Sequence, residues 1–202
     1  MIIIDNVKQG SPEWFALRAG VPSASNFSKI VTGKGDPSKS AKEYMQGLAG
    51  EKITGMPDLS GYKSIHMENG NEREEESRLL FSAITGIAIR QVGLVFMDDL
   101  RNVSCSPDGL GVDEEIGLEL KNPMLKTHVK YLLDGKLPST YFGQVQGSLM
   151  VTGYKHWYFM SHYSGIKPLI LKIERDEEYI GKLRAALDKF NAELTLMAKK
   201  LA

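Results

Sequence analysis

The sequence predicts an α/β fold in which a central mixed β-sheet is flanked by helices. Apolar and other side chains alternate strictly along Ile116–Lys121, which is typical of a strand with two different faces. β-Branched and aromatic residues are concentrated in Ile87–Met97, His156–Tyr163 and Pro168–Ile173, which indicates further strands. Helical segments precede, separate and follow these strands, and that order is typical of α/β folds.

Serine, proline and glycine mark the ends of the predicted helices. Ser11 and Pro12 predict the start of a short helix that ends at Gly20, and Ser23 predicts the cap of a second helix through Ile30. The other predicted elements are helices over Ala41 to about Ile53, Gly70–Ser82, about Thr127–Leu133, Thr140–Thr152 and from near Asp176, and a short strand over Val103–Ser106. We expect the apolar stripe of the last helix to pack on its own sheet or on a neighbouring subunit.

Length and composition limit the possible classes of protein. The 202 residues predict one domain, with a helical part over 11–85, a sheet core over 86–173 and a C-terminal helix over 176–201. The single cysteine, Cys105, excludes an internal disulfide and an iron–sulfur cluster held by this chain alone. No apolar run approaches the roughly 20 residues that span a membrane, and the run Met1–Ile4 is too short for a signal-peptide core. We therefore expect a cytoplasmic protein without a membrane partner.

The balance of charge bears on nucleic-acid binding. Lys and Arg number 25, as do Asp and Glu, so the formal charge is zero. A protein that coats nucleic acid with its whole surface is usually basic. Any contact with DNA must therefore use a local patch or a shaped channel.

The spacing of three charged residues predicts a metal-dependent site. Glu119 and Lys121 share one face of the predicted strand, about 6.5 Å apart, and Asp108 lies in a Pro-Asp-Gly turn, with ten residues between it and Glu119. This is the PD-(D/E)xK pattern. Two carboxylates suit Mg²⁺, which activates water for phosphodiester hydrolysis. Lys121 would orient or deprotonate that water, or stabilise charge on the phosphate, and the spacing does not choose among these roles.

A run of acidic residues precedes the apolar end of the helix predicted over Gly70–Ser82. Glu72, Glu74, Glu75 and Glu76 occupy about one turn. Such a run is typical of a solvated face, on which Glu74 and Arg78 would form an ion pair four residues apart. The alternative is that one of these carboxylates joins the metal site.

Several segments resemble the lambda exonuclease family, also called the YqaJ-type viral recombinase or alkaline exonuclease family. The segments are Trp14–Ser25, Gly70–Phe81, Cys105–Leu110, Gly117–Lys121, Tyr141–Gln146 and Trp157–Phe159, in the family's order. The resemblance implies a restriction-endonuclease-like PD-(D/E)xK core and a Mg²⁺-dependent, processive 5′→3′ exonuclease on double-stranded DNA. It implies two ions per site, with Mn²⁺ as a substitute, release of 5′-mononucleotides and a surviving 3′ single strand.

The resemblance also implies partners. Members of this family form a ring-shaped homotrimer around DNA ends and act with a single-strand annealing protein in recombination. It further implies a phage or prophage origin and a location in the bacterial cytoplasm.

The resemblance assigns roles to individual positions. The implied metal ligands are Asp108, Glu119, the Leu120 carbonyl, Glu74 and Asp98, with Asp99 as the fallback for Asp98. The implied catalytic residues are Lys121 and Gln144, together with Asp108 and Glu119. The implied contacts to DNA and its 5′-phosphate are Arg18, Ser25, Ser106, Tyr141 and Lys126. Thr127 occupies the position at which the family carries a phosphate-binding basic residue, with Lys126 and Lys130 nearby. The preference for a 5′-phosphate is therefore either retained through Lys126 or weakened.

Two other functions remain open at the level of sequence. One keeps the fold and predicts a structure-specific or restriction-type endonuclease. The other is a catalytically silent protein that binds DNA ends during recombination. The presence of Asp108, Glu119 and Lys121 together argues against the silent protein.

Overall fold

The structure of the chain, a computed structural model, describes residues 1–58 and 65–202, with the side chains of 65–72 outside the described part. The α-helices are α1 (Pro12–Arg18), α2 (Ala41–Thr54), α3 (Ile65–Thr85), α4 (Leu125–Asp134), α5 (Ser139–Thr152) and α6 (Glu177–Leu201), with a 3₁₀ helix at Ala24–Lys29. The strands are β1 (Ile2–Ile4), β2 (Ile89–Arg90), β3 (Leu94–Phe96), β4 (Ser104–Cys105), β5 (Gly109–Gly111), β6 (Ile116–Lys121), β7 (His156–Ser161) and β8 (Leu169–Glu174). The helix predicted over Gly70–Ser82 is confirmed as part of α3, whereas the side chain of Glu72 lies outside the described residues.

The described strands form two sheets. The larger sheet has the order β2-β5-β6-β7-β8, with β6 and β7 parallel and the other neighbours antiparallel. The smaller sheet has the order β1-β3-β4 and is antiparallel. The predicted mixed sheet flanked by helices is therefore confirmed.

The two faces of β6 meet different helices because successive side chains on a strand point to opposite faces. Leu118 and Leu120 pack with Phe81 of α3 and Met160 in one apolar cluster. Glu119 faces the other way, toward α5, where Gln144 donates a hydrogen bond to it. The strand that carries the acidic residue is thus covered on both faces, and only its last residue, Lys121, is partly exposed.

The apolar stripe of α6 packs within the chain. Its buried members are Tyr179, Ile180, Leu183, Leu187, Phe190, Leu194 and Ala198, and α2 is the element it contacts most. The Tyr44 and Phe190 rings stack at 5.8 Å between centroids. The intramolecular alternative is confirmed for this stripe, except that Leu201 is 65% exposed.

The single strand predicted over Ile87–Met97 is wrong, because the structure divides it between the two sheets. β2 pairs with β5, whereas β3 pairs with β1 and β4. The change of sheet occurs at Gly93, whose N–H donates to the Ile4 carbonyl at 2.9 Å. A Cβ at Gly93 would lie 2.1 Å from the Val7 carbonyl oxygen, so only glycine fits this crossing.

Sequence analysis did not predict β1, although its three isoleucines favour a strand, because its partner β3 lies far along the chain. None of the described helices combines the length and apolar character needed to cross a bilayer.

Candidate active site

Asp108 is attached to β6 through both its backbone and its side chain. Its N–H donates to the Leu118 carbonyl at 3.1 Å, and its Oδ2 accepts the Leu120 N–H at 2.6 Å. This is possible because β5 pairs only with Gly117 and Leu118, which leaves the next part of the β6 edge open. Asp108 therefore takes the place of a neighbouring strand, and its carboxylate is fixed beside the residues that follow Leu118.

Glu119 lies at the centre of the site and is only 1% exposed. Its Oε1 accepts a hydrogen bond of 2.7 Å from Nε2 of Gln144, and the same oxygen forms an ion pair with Nζ of Lys121. A buried carboxylate needs such partners, because removing its charge from water costs several kcal/mol. The structure thus brings together Glu119, Lys121 and Gln144, as the sequence predicted.

Tyr141 supports Lys121 from α5. The ammonium nitrogen of Lys121 lies 5.2 Å from the centroid of the Tyr141 ring, a distance typical of a cation–π contact. The ring also packs on Phe159, 5.4 Å away, and its edge meets Tyr131. Burial raises the pKa of Tyr141 to about 12, so its hydroxyl is neutral and remains a proton donor at neutral pH.

Glu74 joins the cluster from α3. Burial and, to a smaller extent, the nearby charge of Asp108 together raise the pKa of its carboxyl to about 7. The residue expected to pair with Glu74 on a solvated face, Arg78, instead donates from Nε to the Asp108 carbonyl at 2.9 Å. The solvated-face alternative is therefore wrong for Glu74, which faces the other carboxylates.

The cluster carries more negative than positive charge, and this controls its protonation. Burial raises the pKa of Glu119 to about 7, which Lys121 partly offsets. Burial also raises the pKa of Asp108. For Lys121, burial alone would lower the pKa, but Glu119 and Asp108 outweigh that effect and raise it, so the ammonium stays protonated. Carboxylates that resist ionisation in this way are suited to a cation that would neutralise them.

The donor set fits a hard divalent cation. Asp108, Glu119 and Glu74 supply carboxylate oxygens, which Mg²⁺ prefers. The N–H and C=O of one strand residue project to the same edge, so the Leu120 carbonyl shares the open edge with the N–H that reaches Asp108. Within the described residues, no three acidic, histidine or cysteine side chains are already gathered at ligand distance. The recorded hydrogen bonds use only Oδ2 of Asp108 and Oε1 of Glu119, so the second oxygen of each carboxylate is left for an ion.

A second polar group lies at the end of α1. Nη2 of Arg18 donates to Ser23 Oγ at 2.7 Å, and that oxygen lies 3.2 Å from Ser25 Oγ. The guanidinium carbon of Arg18 lies 4.0 Å from the ring centroid of Trp14. Arg18 and Ser23 line a cavity of about 180 Å³, whose wall also includes the carboxylate-bearing Glu51. The structure brings Arg18 and Ser25 together, as predicted.

The chain connects this cavity to the carboxylates. Ser23 forms a parallel bridge with Ser104, and Ser106 follows two residues later. Ser106 Oγ is buried and has no hydrogen-bond partner in the part of the chain that the structure describes. An orphaned buried hydroxyl is costly unless a ligand satisfies it. Lys126, by contrast, is exposed on α4, so its role stays a prediction.

The structure does not bring Asp98 to the cluster. Its carboxylate accepts the Leu100 N–H at 2.9 Å in the turn that follows β3. Gln9 Nε2 donates to the carbonyls of Val92 and Pro107, so the chain before Asp108 lies beside the residue that precedes β3. Asp98 and Asp108 thus lie at opposite ends of β3, and Asp99 shares the turn with Asp98. Asp98 was assigned by counting residues back from Asp108 without a gap, and this fails because the chain reverses direction in the hairpin between the two residues.

Sequence analysis missed three residues that support the site. Ser23 was expected to cap a helix, but its hydroxyl makes no cap hydrogen bond and instead accepts from Arg18. Arg78 and Ser77 follow Glu74 by four and three residues on α3, and this helical spacing was the signal that could have found them. Ser77 Oγ hydrogen-bonds both Asn122 and His162, next to Lys121.

Comparison with known proteins is consistent with this geometry. The model of the YqaJ-like viral recombinase domain matches residues 13–155. The chain belongs to this family. The YqaJ-like match includes Arg18, Glu74, Asp108, Glu119, Lys121 and Gln144. No curated protein sequence matches the chain.

Solved structures support the assignment to the YqaJ-like family. The chain is similar to an alkaline exonuclease, LHK-Exo, from Laribacter hongkongensis, with 28% identity, a TM-score of 0.82 and coverage of 95% of this chain and 96% of that one. The same values hold for LHK-Exo in complex with dAMP. A phage-related exonuclease from Haemophilus somnus has a TM-score of 0.69, 13% identity and coverage of 90% and 96%, and it supports the fold alone.

Proposed function

We propose that this YqaJ-like protein is a Mg²⁺-dependent, processive exonuclease that digests double-stranded DNA in the 5′→3′ direction. It would release 5′-mononucleotides and leave a 3′ single strand for annealing. The observation that carries the proposal is the convergence of Asp108, Glu119 and Glu74 on Lys121, with the cavity of Arg18 and Ser23 connected to them through the bridge from Ser23 to Ser104. That LHK-Exo has been solved with dAMP supports a mononucleotide as the product.

The residues divide the chemistry among themselves. Asp108, Glu119, the Leu120 carbonyl and Glu74 would hold Mg²⁺, with Mn²⁺ as a substitute and two ions per site. When bound, the ion lowers the pKa of water and shields charge on the phosphate. Lys121 stays protonated beside Glu119, so it suits the stabilisation of negative charge better than the removal of a proton. Gln144 orients the Glu119 carboxylate, and Tyr141 keeps the ammonium in place.

The cavity at α1 supports the direction of digestion. An arginine guanidinium is a strong partner for a terminal phosphate, because it forms charge-assisted hydrogen bonds. The hydroxyl of Ser25 lies beside Ser23, which binds Arg18, and Ser106 follows two residues after Ser104, the bridge partner of Ser23. Asp108 follows Ser106 by two residues, so a 5′-phosphate in this cavity would bring the next phosphodiester to the carboxylates. Digestion from the 5′ end, one nucleotide at a time, follows from that placement.

A digestion of end-labelled DNA tests the proposal. Linear duplex, labelled separately at its 5′ and 3′ ends, is incubated with Mg²⁺ beside closed circular DNA. We expect early release of 5′-labelled mononucleotides and intact circles. Cleavage of circles would instead support the endonuclease, and the absence of cleavage in Mg²⁺ and Mn²⁺ would support a silent end-binding protein.

We also propose a ring-shaped homotrimer and a single-strand annealing partner, on the basis of the family resemblance. Leu125, Val129 and Leu133 recur every four residues along α4 and are 44%, 38% and 82% exposed, which suits a face that another subunit covers. Light scattering after gel filtration measures the assembly. A monomeric mass at micromolar concentration would contradict the ring.

A further inference from the structure

A second cavity lies just beyond the end of β6, where Asn122 follows Lys121. It has a volume of about 200 Å³ and lies between α3 and the segments that follow β6 and β7. The residues that line it include Arg73, Glu76, Asn122, His162, Tyr163 and Ser164. The proposed mechanism uses none of these side chains.

A chain of hydrogen bonds fixes the chemistry of the cavity wall. Ser77 Oγ donates to Asn122 Oδ1 at 2.7 Å and lies 2.9 Å from Nδ1 of His162. A hydroxyl has one hydrogen, so Nδ1 of His162 must donate to Ser77. The groups left for a ligand are then the amide N–H groups of Asn122 and Nε2 of His162. Because His162 is only 7% exposed, its orientation is set by this network and not by solvent.

The lining is rich in hydrogen-bond donors. The amide of Asn122, the guanidinium of Arg73 and the hydroxyls of Tyr163 and Ser164 can all donate. Glu76, three residues after Arg73, is an exposed carboxylate on the rim of the cavity, and its negative charge would repel a phosphate. Such a lining fits the oxygens of a phosphodiester, to which Arg, Asn, Ser and Tyr side chains commonly donate.

The position of the cavity relative to β6 indicates which phosphodiester of a bound DNA strand it would contact. Asp108 lies on the β5 side of β6, whereas the N–H of His162 donates to the Lys121 carbonyl on the β7 side at 2.9 Å. The carboxylates therefore lie between the Ser106 end of the site and this cavity. A DNA strand that has its 5′ end near Ser106 and its scissile phosphate at the carboxylates continues toward His162.

We infer that this cavity binds the phosphodiester immediately 3′ to the scissile one, in the strand being digested. The inference rests on the proposed function, since it takes its direction from the 5′ end held near Arg18. It assigns to Arg73 and Asn122 the retention of the strand that stays bound after each cut, while His162 fixes the Ser77 hydroxyl and through it the Asn122 amide.

A neutral linkage tests the inference. Two 5′-phosphorylated duplexes are compared in single-turnover cleavage, one natural and one with a methylphosphonate at the linkage 3′ to the first scissile bond. We expect the neutral linkage to slow the wild type by about 10-fold, the loss typical of a hydrogen bond to a charged group. Arg73→Gln should be slowed on natural DNA and show little further slowing on the neutral linkage. Glu76→Gln should lower KM without changing kcat, because it removes the opposing charge.

His156→Gln is the matched control. His156 pairs with Glu174 at 2.6 Å at the opposite end of β7, so this variant should keep the full sensitivity to the neutral linkage. The affinities of both duplexes are also measured by fluorescence anisotropy in Ca²⁺. Equal affinities there overturn the inference whether or not DNA is cleaved. Cleavage from the 5′ end with no effect of the neutral linkage overturns the inference alone, whereas digestion from the 3′ end removes the proposed function as well.

Discussion

The backbone N–H of Leu120 donates a hydrogen bond of 2.6 Å to Oδ2 of Asp108. This contact fixes the Asp108 carboxylate to the backbone of β6, the strand that carries Glu119. The relative placement of the two carboxylates therefore does not depend on a flexible loop. Because the hydrogen bond uses only Oδ2, it holds Asp108 in place and leaves Oδ1 for an ion.

Asp108→Asn should abolish hydrolysis and leave the fold intact. The amide oxygen of asparagine can still accept the Leu120 N–H, but its neutral side chain is a poor ligand for Mg²⁺. Removing a residue that only hydrogen-bonds a metal ligand typically lowers metal affinity or activity by about 10–100-fold. Removing a ligand itself should cost more, so we expect kcat to fall by more than about 100-fold. Hydrolysis of 5′-labelled duplex measures the loss, and the melting temperature checks the fold.

Asp98→Asn is the matched control for Asp108→Asn. Asp98 lies in the turn after β3, and asparagine can still accept the Leu100 N–H there. Hydrolysis by this variant should stay close to that of the wild type. A large loss of activity would return Asp98 to the metal site, and full activity of Asp108→Asn would remove Asp108 from it.

The metal-free protein should become less stable as the pH rises from about 5 to about 8. Burial raises the pKa of Glu119 from 4.5 to about 7, so the folded state binds a proton that the unfolded state releases. Stability from such a group is present at low pH and is lost as the pH passes the folded pKa. Melting temperatures of the wild type should therefore fall more steeply over this window than those of Glu119→Gln. Parallel curves would contradict the raised pKa.

Stabilisation by Mg²⁺ should show the opposite dependence on pH. The carboxylates of Glu119 and Glu74 must lose their protons before they bind an ion, and burial raises the pKa of each to about 7. The increase in melting temperature on adding Mg²⁺ should accordingly be larger at about pH 8 than at about pH 6. An increase that does not change with pH would show that the ion binds elsewhere.

Arg18→Ala should slow initiation on 5′-phosphorylated ends more than on 5′-hydroxyl ends. Loss of hydrogen bonds to a charged phosphate should reduce the rate on phosphorylated ends by about 10-fold. Arg101→Ala is the control, because Arg101 also lies over an aromatic ring, that of Phe96, but is exposed near Asp98. Equal slowing of Arg18→Ala on both kinds of end would show that Arg18 does not bind the phosphate.

Gly117→Ala should destabilise the catalytic strand. A Cβ at Gly117 would lie 2.2 Å from the ring of Trp157, a fully buried side chain on β7. Overpacking of this kind costs about 1–3 kcal/mol in the free energy of unfolding. Gly47→Ala in α2 is the control, because its Cβ would meet nothing within 4 Å and alanine favours a helix by about 0.5–1 kcal/mol. Urea denaturation of both variants measures the difference, and equal stabilities would contradict the close contact.

The parts of the site on one strand could be predicted from sequence, because strand periodicity is local. The shared face of Glu119 and Lys121 and the bounds of β6 are confirmed. Gln144 contacts Glu119 as expected, but its assignment needed the family resemblance, since nothing local predicts which helix covers a strand.

The parts that sequence missed depend on contacts between distant segments. β2 and β3 form one β-branched run in sequence, and only Gly93 and the Ile4 carbonyl place them in different sheets. The position of Asp98 was counted along the chain, although the chain reverses between Asp98 and Asp108. The partner of Ser23 is Arg18, and neither helix propensity nor capping rules predict that contact.

Pro107 is the single residue between Ser106, at the proposed phosphate cavity, and Asp108, at the proposed metal site. Its ring fixes φ near about −65°, and its buried carbonyl accepts the Gln9 side chain at 2.8 Å. The distance between a 5′-phosphate at Ser106 and a scissile phosphate at Asp108 would thus be fixed by one rigid residue of the chain. Every product would then have the same length, whatever the conformation of the surrounding loops.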